Sequence, residues 1–121
     1  MQYMLLIYLD ENALTEAQRE QCYQDSAGLA RQLHTKRQYV AAAPLHPTSS
    51  AKSVRVKNGR TMVTDGPFAE THEQLGGFFL VEANSIEEAT KIAGQIPAGK
   101  WGTVEVRPVL QVEGLPNAAS A

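Results

Sequence analysis

Several ionisable side chains in the second half of the sequence have the types needed for acid–base chemistry or for binding an anion. Asp65, Glu70, His72 and Glu73 lie in one short segment, and Arg107 follows near the end of the chain. A carboxylate can act as a general base when burial raises its pKa. A guanidinium can hold a carboxylate or a phosphate through two parallel hydrogen bonds. These residues are therefore candidates for a ligand site.

Asp65 is the candidate catalytic residue, because it precedes Gly66 and Pro67 at the end of a predicted strand. Its parity with Val63 indicates that its side chain points toward the covered side of that strand. The alternative is a turn residue, since Asp before Gly-Pro commonly accepts hydrogen bonds from nearby backbone N–H groups. The two roles are compatible, and the sequence leaves both open.

The other candidates also have structural alternatives. Phe68, Glu70, His72 and Glu73 could line a cleft with Asp65. An isolated histidine is more often exposed to solvent, and the two glutamates could instead cap a short turn.

Arg107 lies on the same face of a predicted strand as Glu105, opposite Val104 and Val106. If the valines pack against helices, the two charges enter the other side of the sheet. Arg107 could hold an anion there or form an internal ion pair with Glu105 or Asp65. Both interpretations place Arg107 away from solvent.

The sequence gives no reason to expect a metal or a cofactor. His34, His46 and His72 have no close two-histidine spacing, and Cys22 is the only cysteine. A lone cysteine excludes an intramolecular disulfide and a cysteine-based zinc site, which fits the reducing cytoplasm.

Length and charge narrow the functional classes. The 121 residues fit one domain, and 13 acidic against 11 basic residues give a net charge of -2. That balance disfavours a nucleic-acid partner. The apolar start of the chain stops at Asp10 and Glu11, which is too short for a membrane span. We expect a cytoplasmic protein without an export signal.

Periodicity and capping signals define the elements that would position these residues. Thr15 to Gln18 and Ser85 to Glu88 match capping boxes, and Asn58-Gly59 predicts a type I′ hairpin turn. The predicted elements are strands at 3–9, 39–43, 53–57, 60–64, 76–83 and 103–107, and helices at 15–35 and from 85 to Pro97.

This order predicts an α+β fold, a ferredoxin-like βαββαβ plan with an inserted β-hairpin. Two helices cover only one sheet face, so the apolar residues on the other face predict a face-to-face homodimer. The domain is expected over residues 1–112, with a frayed C-terminal tail at 113–121.

The block from Val63 through Asp65-Gly66-Pro67-Phe68 to Phe78 resembles the signature of the YCII-related (DGPF domain) family. The resemblance implies a dimeric α+β barrel with a cleft between sheet and hairpin, in a family largely without assigned reactions. It also implies a possible association with sigma factors, by family analogy only. The related YciI proteins have a proposed His/Asp pair, but the first helix here offers only His34, and the pair is not transferred.

The leading functional hypothesis is a dimeric small-molecule-binding protein, a sensor or accessory protein, with a cleft near the Asp-Gly-Pro-Phe loop. The alternative is a small enzyme that uses Asp65 for acid–base chemistry in that cleft. A purely structural interaction module is the third hypothesis.

Overall fold

The computed structural model describes residues 1–116, and it has the mixed α+β architecture that the sequence predicts. Two antiparallel sheets and two α-helices account for most of this range. The strands are β1 (Gln2–Leu9), β2 (Tyr39–Pro44), β3 (Lys52–Lys57), β4 (Arg60–Asp65), β5 (Gln74–Glu82) and β6 (Gly102–Pro108), and the helices are α1 (Glu16–Thr35) and α2 (Ile86–Ala93).

The larger sheet has the order β2-β5-β1-β6, with every neighbouring pair antiparallel. Alternate residues of its central strands point to opposite faces. Leu5 and Ile7 of β1 and Phe79 and Val81 of β5 are buried beneath the helices, where they form the hydrophobic core. Leu6, between the two core residues of β1, faces the other side and is half-buried.

Both helices begin at the predicted N-cap residues, but the reciprocal capping box forms only at α1, because the Glu88 carboxylate accepts from the Gln38 and Asn84 side chains. The Thr15 hydroxyl accepts a hydrogen bond from the Gln18 backbone N–H at 3.2 Å, and the Gln18 side chain accepts one from the Thr15 N–H at 2.8 Å. Ser85 caps α2 by accepting from the Glu88 N–H at 3.2 Å. These bonds satisfy backbone donors that have no partner within the helix.

The predicted end of the second helix was wrong. We expected it to continue to Pro97, but α2 ends at Ala93 and Gly94 is its C-cap. A separate 3₁₀ turn, Pro97–Lys100, follows, and Ile96 remains buried between them. Burial of Ile96 therefore does not require that the α-helix continue to it.

The hairpin of β3 and β4 has the predicted register, with Val54 opposite Val63. Asn58 and Gly59 have φ values of 52° and 74°, as a type I′ turn requires. The hairpin forms a separate two-stranded sheet, and nearly all of its residues are exposed. Asp65 lies opposite Lys52, and its side chain is 86% exposed, so residues 1–116 of one protomer do not cover the side of the hairpin that was expected to be covered.

The edge strand β6 divides its residues between the two faces of the larger sheet as predicted. Val104 and Val106 pack against the core, whereas Glu105 and Arg107 project from the opposite face. Of the predicted tail at 113–121, residues 117–121 lie outside the described residues. No helix within 1–116 has the length and apolar character needed to cross a membrane.

Candidate functional site

A cavity of about 850 Å³ lies between α1 and the larger sheet. Its helix wall includes Cys22, Ser26 and Ala30, and its sheet wall includes Tyr39 and Phe79. Small-molecule sites typically occupy clefts of about 300–1,000 Å³ that are mostly apolar and contain a few fixed polar groups. The volume and location of this cavity suit a small organic ligand.

The walls are apolar because the apolar stripe of α1 and the apolar faces of the strands point toward each other. One helical stripe of α1 faces the sheet, and alternate residues of β1, β2 and β5 face the helix. Leu9, Leu14 and Ala42 join the aromatic rings of Tyr39 and Phe79 in this lining. A ligand inside the cavity would therefore gain mainly from burying apolar surface.

The polar groups of the cavity are held by hydrogen bonds at one end of α1. Arg19 Nη2 donates to the Glu11 carbonyl oxygen at 2.8 Å. The Glu11 carboxylate accepts from the Thr48 backbone N–H at 2.8 Å, and the Glu11 N–H donates to the Gln74 side-chain oxygen at 3.1 Å. The arginine is therefore positioned before any ligand arrives.

Cys22 is part of the cavity wall, and its thiol is not activated as a nucleophile. Burial raises the pKa of the Cys22 thiol above its ordinary value, and the nearby charge of Asp25 raises it further. The Trp101 side-chain hydrogen bond and the Lys100 charge act in the opposite direction without overcoming these causes. Since the thiolate is the reactive form, a raised pKa leaves Cys22 neutral and unreactive near pH 7.

Gly77 allows β5 and β2 to approach closely at the floor of the cavity. A Cβ at this position would lie 2.9 Å from the Ala43 carbonyl oxygen and 3.2 Å from Pro44 Cα, both in the backbone of β2. Close packing against the backbone of β2 therefore explains the glycine at this position. A larger residue would push apart the two strands that form the floor.

The family model for the YCII-related domain matches residues 1–113. The chain belongs to the YCII-related family. An uncharacterized protein of Rhizobium meliloti (strain 1021) is 36% identical over 114 residues, which cover 90% of this chain and 92% of the relative.

A solved structure shows a similar fold. It is 5-chloro-2-hydroxyhydroquinone dehydrochlorinase from Burkholderia phenoliruptrix AC1100, in complex with 2,5-dihydroxybenzoquinone. The TM-score is 0.56 with 15% sequence identity, and the match covers 93% of this chain and 97% of the dehydrochlorinase. At that identity the likeness establishes the shared fold alone.

The residues singled out from the YCII-related signature loop are solvent-exposed in the protomer. The Asp65 carboxylate pairs with the Lys52 ammonium, and its side chain is 86% exposed. Phe68 is also 86% exposed, and Glu70 is exposed. His72 is 91% exposed, with Nε2 3.9 Å from Asp10 Oδ2.

Two further candidates have different surroundings. Glu73 Oε1 accepts a hydrogen bond from the Thr103 hydroxyl at 3.1 Å, which ties the signature loop to β6. Arg107 lies opposite Met4 on the sheet face away from the helices, and it forms no salt bridge within residues 1–116. The expectation that Arg107 is shielded is wrong for the protomer, because Arg107 is exposed and no element of residues 1–116 covers that face.

None of the six predicted site residues lines the cavity beneath α1. The signature block reaches it through its last residues, because Leu75, Gly76, Gly77 and Phe78 contribute to the lining. Within residues 1–116, no group of three His, Cys, Asp or Glu side chains could hold a metal ion.

Arg19 is the functional candidate that sequence reasoning missed. It precedes Cys22 by three residues and Ser26 by seven, so it extends the same helical stripe toward the N-terminus. The position of an arginine in line with the core-facing stripe of the helix was the signal in the sequence that could have identified Arg19.

Proposed function

We propose that this protein is a small-molecule-binding protein, a cytoplasmic sensor or accessory protein, whose ligand occupies the cavity beneath α1. The observation that carries the proposal is an apolar cavity of about 850 Å³ with an arginine already fixed at one end. Pre-positioned polar groups reduce the entropy lost on binding. The neutral thiol of Cys22 favours binding over cysteine-based catalysis.

The proposal includes a homodimer formed through the open face of the larger sheet, which consists of Met4, Leu6, Tyr8, Phe78 and Leu80 with Glu105 and Arg107 at one edge. The five apolar side chains are only half-buried in the protomer. Contiguous apolar patches of this kind usually mark an interaction surface. Two ferredoxin-like units joined through these faces would form a dimeric α+β barrel.

The exposed hairpin provides a second reason to propose a dimer. Val54, Val56, Met62 and Val63 are each more than half exposed. A partner subunit could bury these side chains and also enclose the Asp-Gly-Pro-Phe loop. This arrangement would give the signature loop the covered environment that it lacks in one protomer.

A blocked cavity provides the direct test of binding. N-phenyl-1-naphthylamine is an uncharged probe whose fluorescence rises in apolar sites. Ser26→Trp places a large side chain in the cavity, whereas Ala17→Trp adds the same side chain to an exposed position of α1 that does not line it. We expect binding to the native protein and the Ala17 variant, and loss of binding in the Ser26 variant. Equal binding by all three proteins would contradict the proposal.

The alternative is a small enzyme in which Asp65 acts as a general base in a cleft completed by the dimer. The likeness in fold to a dehydrochlorinase favours keeping this candidate. Its test is chloride release from 5-chloro-2-hydroxyhydroquinone, compared with Asp65→Asn. Turnover that disappears in this variant, with the dimer intact, would favour the enzyme. Absence of turnover with this substrate would favour the binding protein over the enzyme.

A further inference from the structure

The positive charge of Arg19 has no acidic partner within the part of the chain that the structure describes. Its side chain is half-buried and lines the cavity. One N–H group donates to the neutral Glu11 carbonyl, and no carboxylate forms a salt bridge with it in residues 1–116. Charges that leave water are normally paired, because desolvation is costly. Arg19 therefore offers an open position for an anion.

The other charged groups around the cavity do not cancel this charge. The Glu11 carboxylate is directed to the Thr48 backbone N–H at 2.8 Å. Arg31 and His46 also line the cavity but are exposed at its surface. Two arginines against one carboxylate give the lining a net charge of +1, with His46 counted as neutral, and this balance favours a negatively charged ligand.

The apolar lining sets the other property of the ligand. Tyr39 and Phe79 lie in the sheet wall, and Leu9 and Leu14 also line the cavity. Aromatic rings pack well against a planar apolar body. The guanidinium retains N–H groups beyond the one used for Glu11, and these can bind a carboxylate or a sulfonate.

We propose that the cavity binds an aromatic monoanion, with Arg19 holding the anionic group and the sheet wall holding the ring. This inference rests on the proposed function and adds the charge class of the ligand and the residue that selects it. An uncharged compound of the same shape would bind less tightly. Arg19 is a specificity-determining residue in this account.

Two probes separate charge selection from cavity binding. 8-Anilinonaphthalene-1-sulfonate carries the same ring system as N-phenyl-1-naphthylamine and adds one sulfonate. Fluorescence titration would give the dissociation constant of each probe for the native protein, Arg19→Gln and Lys91→Gln. Lys91→Gln is the matched control, because it removes one positive charge from an exposed position of α2 that does not line the cavity.

We expect Arg19→Gln to weaken sulfonate binding by about 10- to 100-fold, the range of a hydrogen bond to a charged group. It should change N-phenyl-1-naphthylamine binding by less than about threefold. Lys91→Gln should change the binding of either probe by no more than about threefold, because its charge is exposed, screened and outside the cavity. Arg19→Lys should restore part of the sulfonate affinity.

Sulfonate binding that is unchanged in Arg19→Gln, or a uniform loss for both probes, would overturn the assignment of Arg19. If Ser26→Trp still binds both probes as tightly as the native protein, the cavity is not the binding site. The two failures are therefore distinguishable.

Discussion

The two faces of the larger sheet use alternate residues of the same strands, yet they have different surroundings. Leu5 is fully buried beneath the helices, whereas its neighbour Leu6 is half-buried on the open face. The covered face contains the core and the cavity with Arg19. The open face has an apolar centre and charged residues along β6.

Under the proposed function, this difference is a division of roles that strand geometry makes possible. Because successive side chains point to opposite faces, one strand can build a ligand cavity and an interaction surface at once. Substitutions on one face should therefore affect ligand binding or protomer stability, and those on the other should affect assembly. The following predictions test that separation.

Leu80→Glu should have the largest effect, and it should act on assembly. Leu80 lies opposite Met4 and Ala41 at the centre of the open face. An unpaired carboxylate in each copy of a closed dimer would cost about 3–5 kcal/mol. Sedimentation velocity should show a folded monomer. Leu80→Met, of similar volume, should remain dimeric, and a dimer unaffected by the glutamate would exclude this face as the interface.

Leu5→Ala should have the next largest effect, on the stability of the protomer. Its side chain is completely buried, so truncation leaves a core cavity and should lower the free energy of unfolding by about 2–5 kcal/mol. Urea unfolding in the monomeric Leu80→Glu background would measure this loss. Leu6→Ala in that background is the matched control, and an equal loss in both would contradict the distinction between the faces.

Thr15→Ala should produce an intermediate effect, confined to the covered side. It removes the hydroxyl that accepts from the Gln18 N–H at the start of α1. Loss of such a cap costs about 1 kcal/mol. Thermal unfolding should show the loss, Thr15→Ser should restore most of it, and sedimentation should give the same dimer for both variants. A dissociated dimer would show that the two faces are coupled.

Asp65→Asn should have the smallest effect. The Asp65–Lys52 pair is 86% and 65% exposed at its two side chains, and exposed pairs contribute about 0–1 kcal/mol. Chemical denaturation should show a similarly small loss for Lys52→Met. Binding of N-phenyl-1-naphthylamine should be unchanged in both. A specific loss of binding in Asp65→Asn would favour the signature loop as the site.

The sequence predicted those features that depend on local chemistry. The capping residues Thr15 and Ser85 and the Asn58-Gly59 turn fix their elements through contacts a few residues apart. The opposite orientations of Val104 and Arg107 followed from strand alternation. The end of α2 was missed, since Ile96 is buried from a separate turn.

The cavity could not be predicted, because its walls come from distant parts of the chain. Arg19, Tyr39 and Phe79 meet only through the strand order β2-β5-β1 and the position of α1 above it. The Asp-Gly-Pro-Phe segment is conspicuous in the sequence, but its charged side chain does not line the cavity. The segment identified the family, and long-range packing formed the candidate site.

A crystal structure of the protein with 8-anilinonaphthalene-1-sulfonate tests the central claim most directly. The account predicts the naphthalene ring between α1 and the sheet, near Tyr39 and Phe79, with the sulfonate hydrogen-bonded to Arg19. A probe bound instead against Met4, Leu6 and Leu80, with no probe beneath α1, would contradict it.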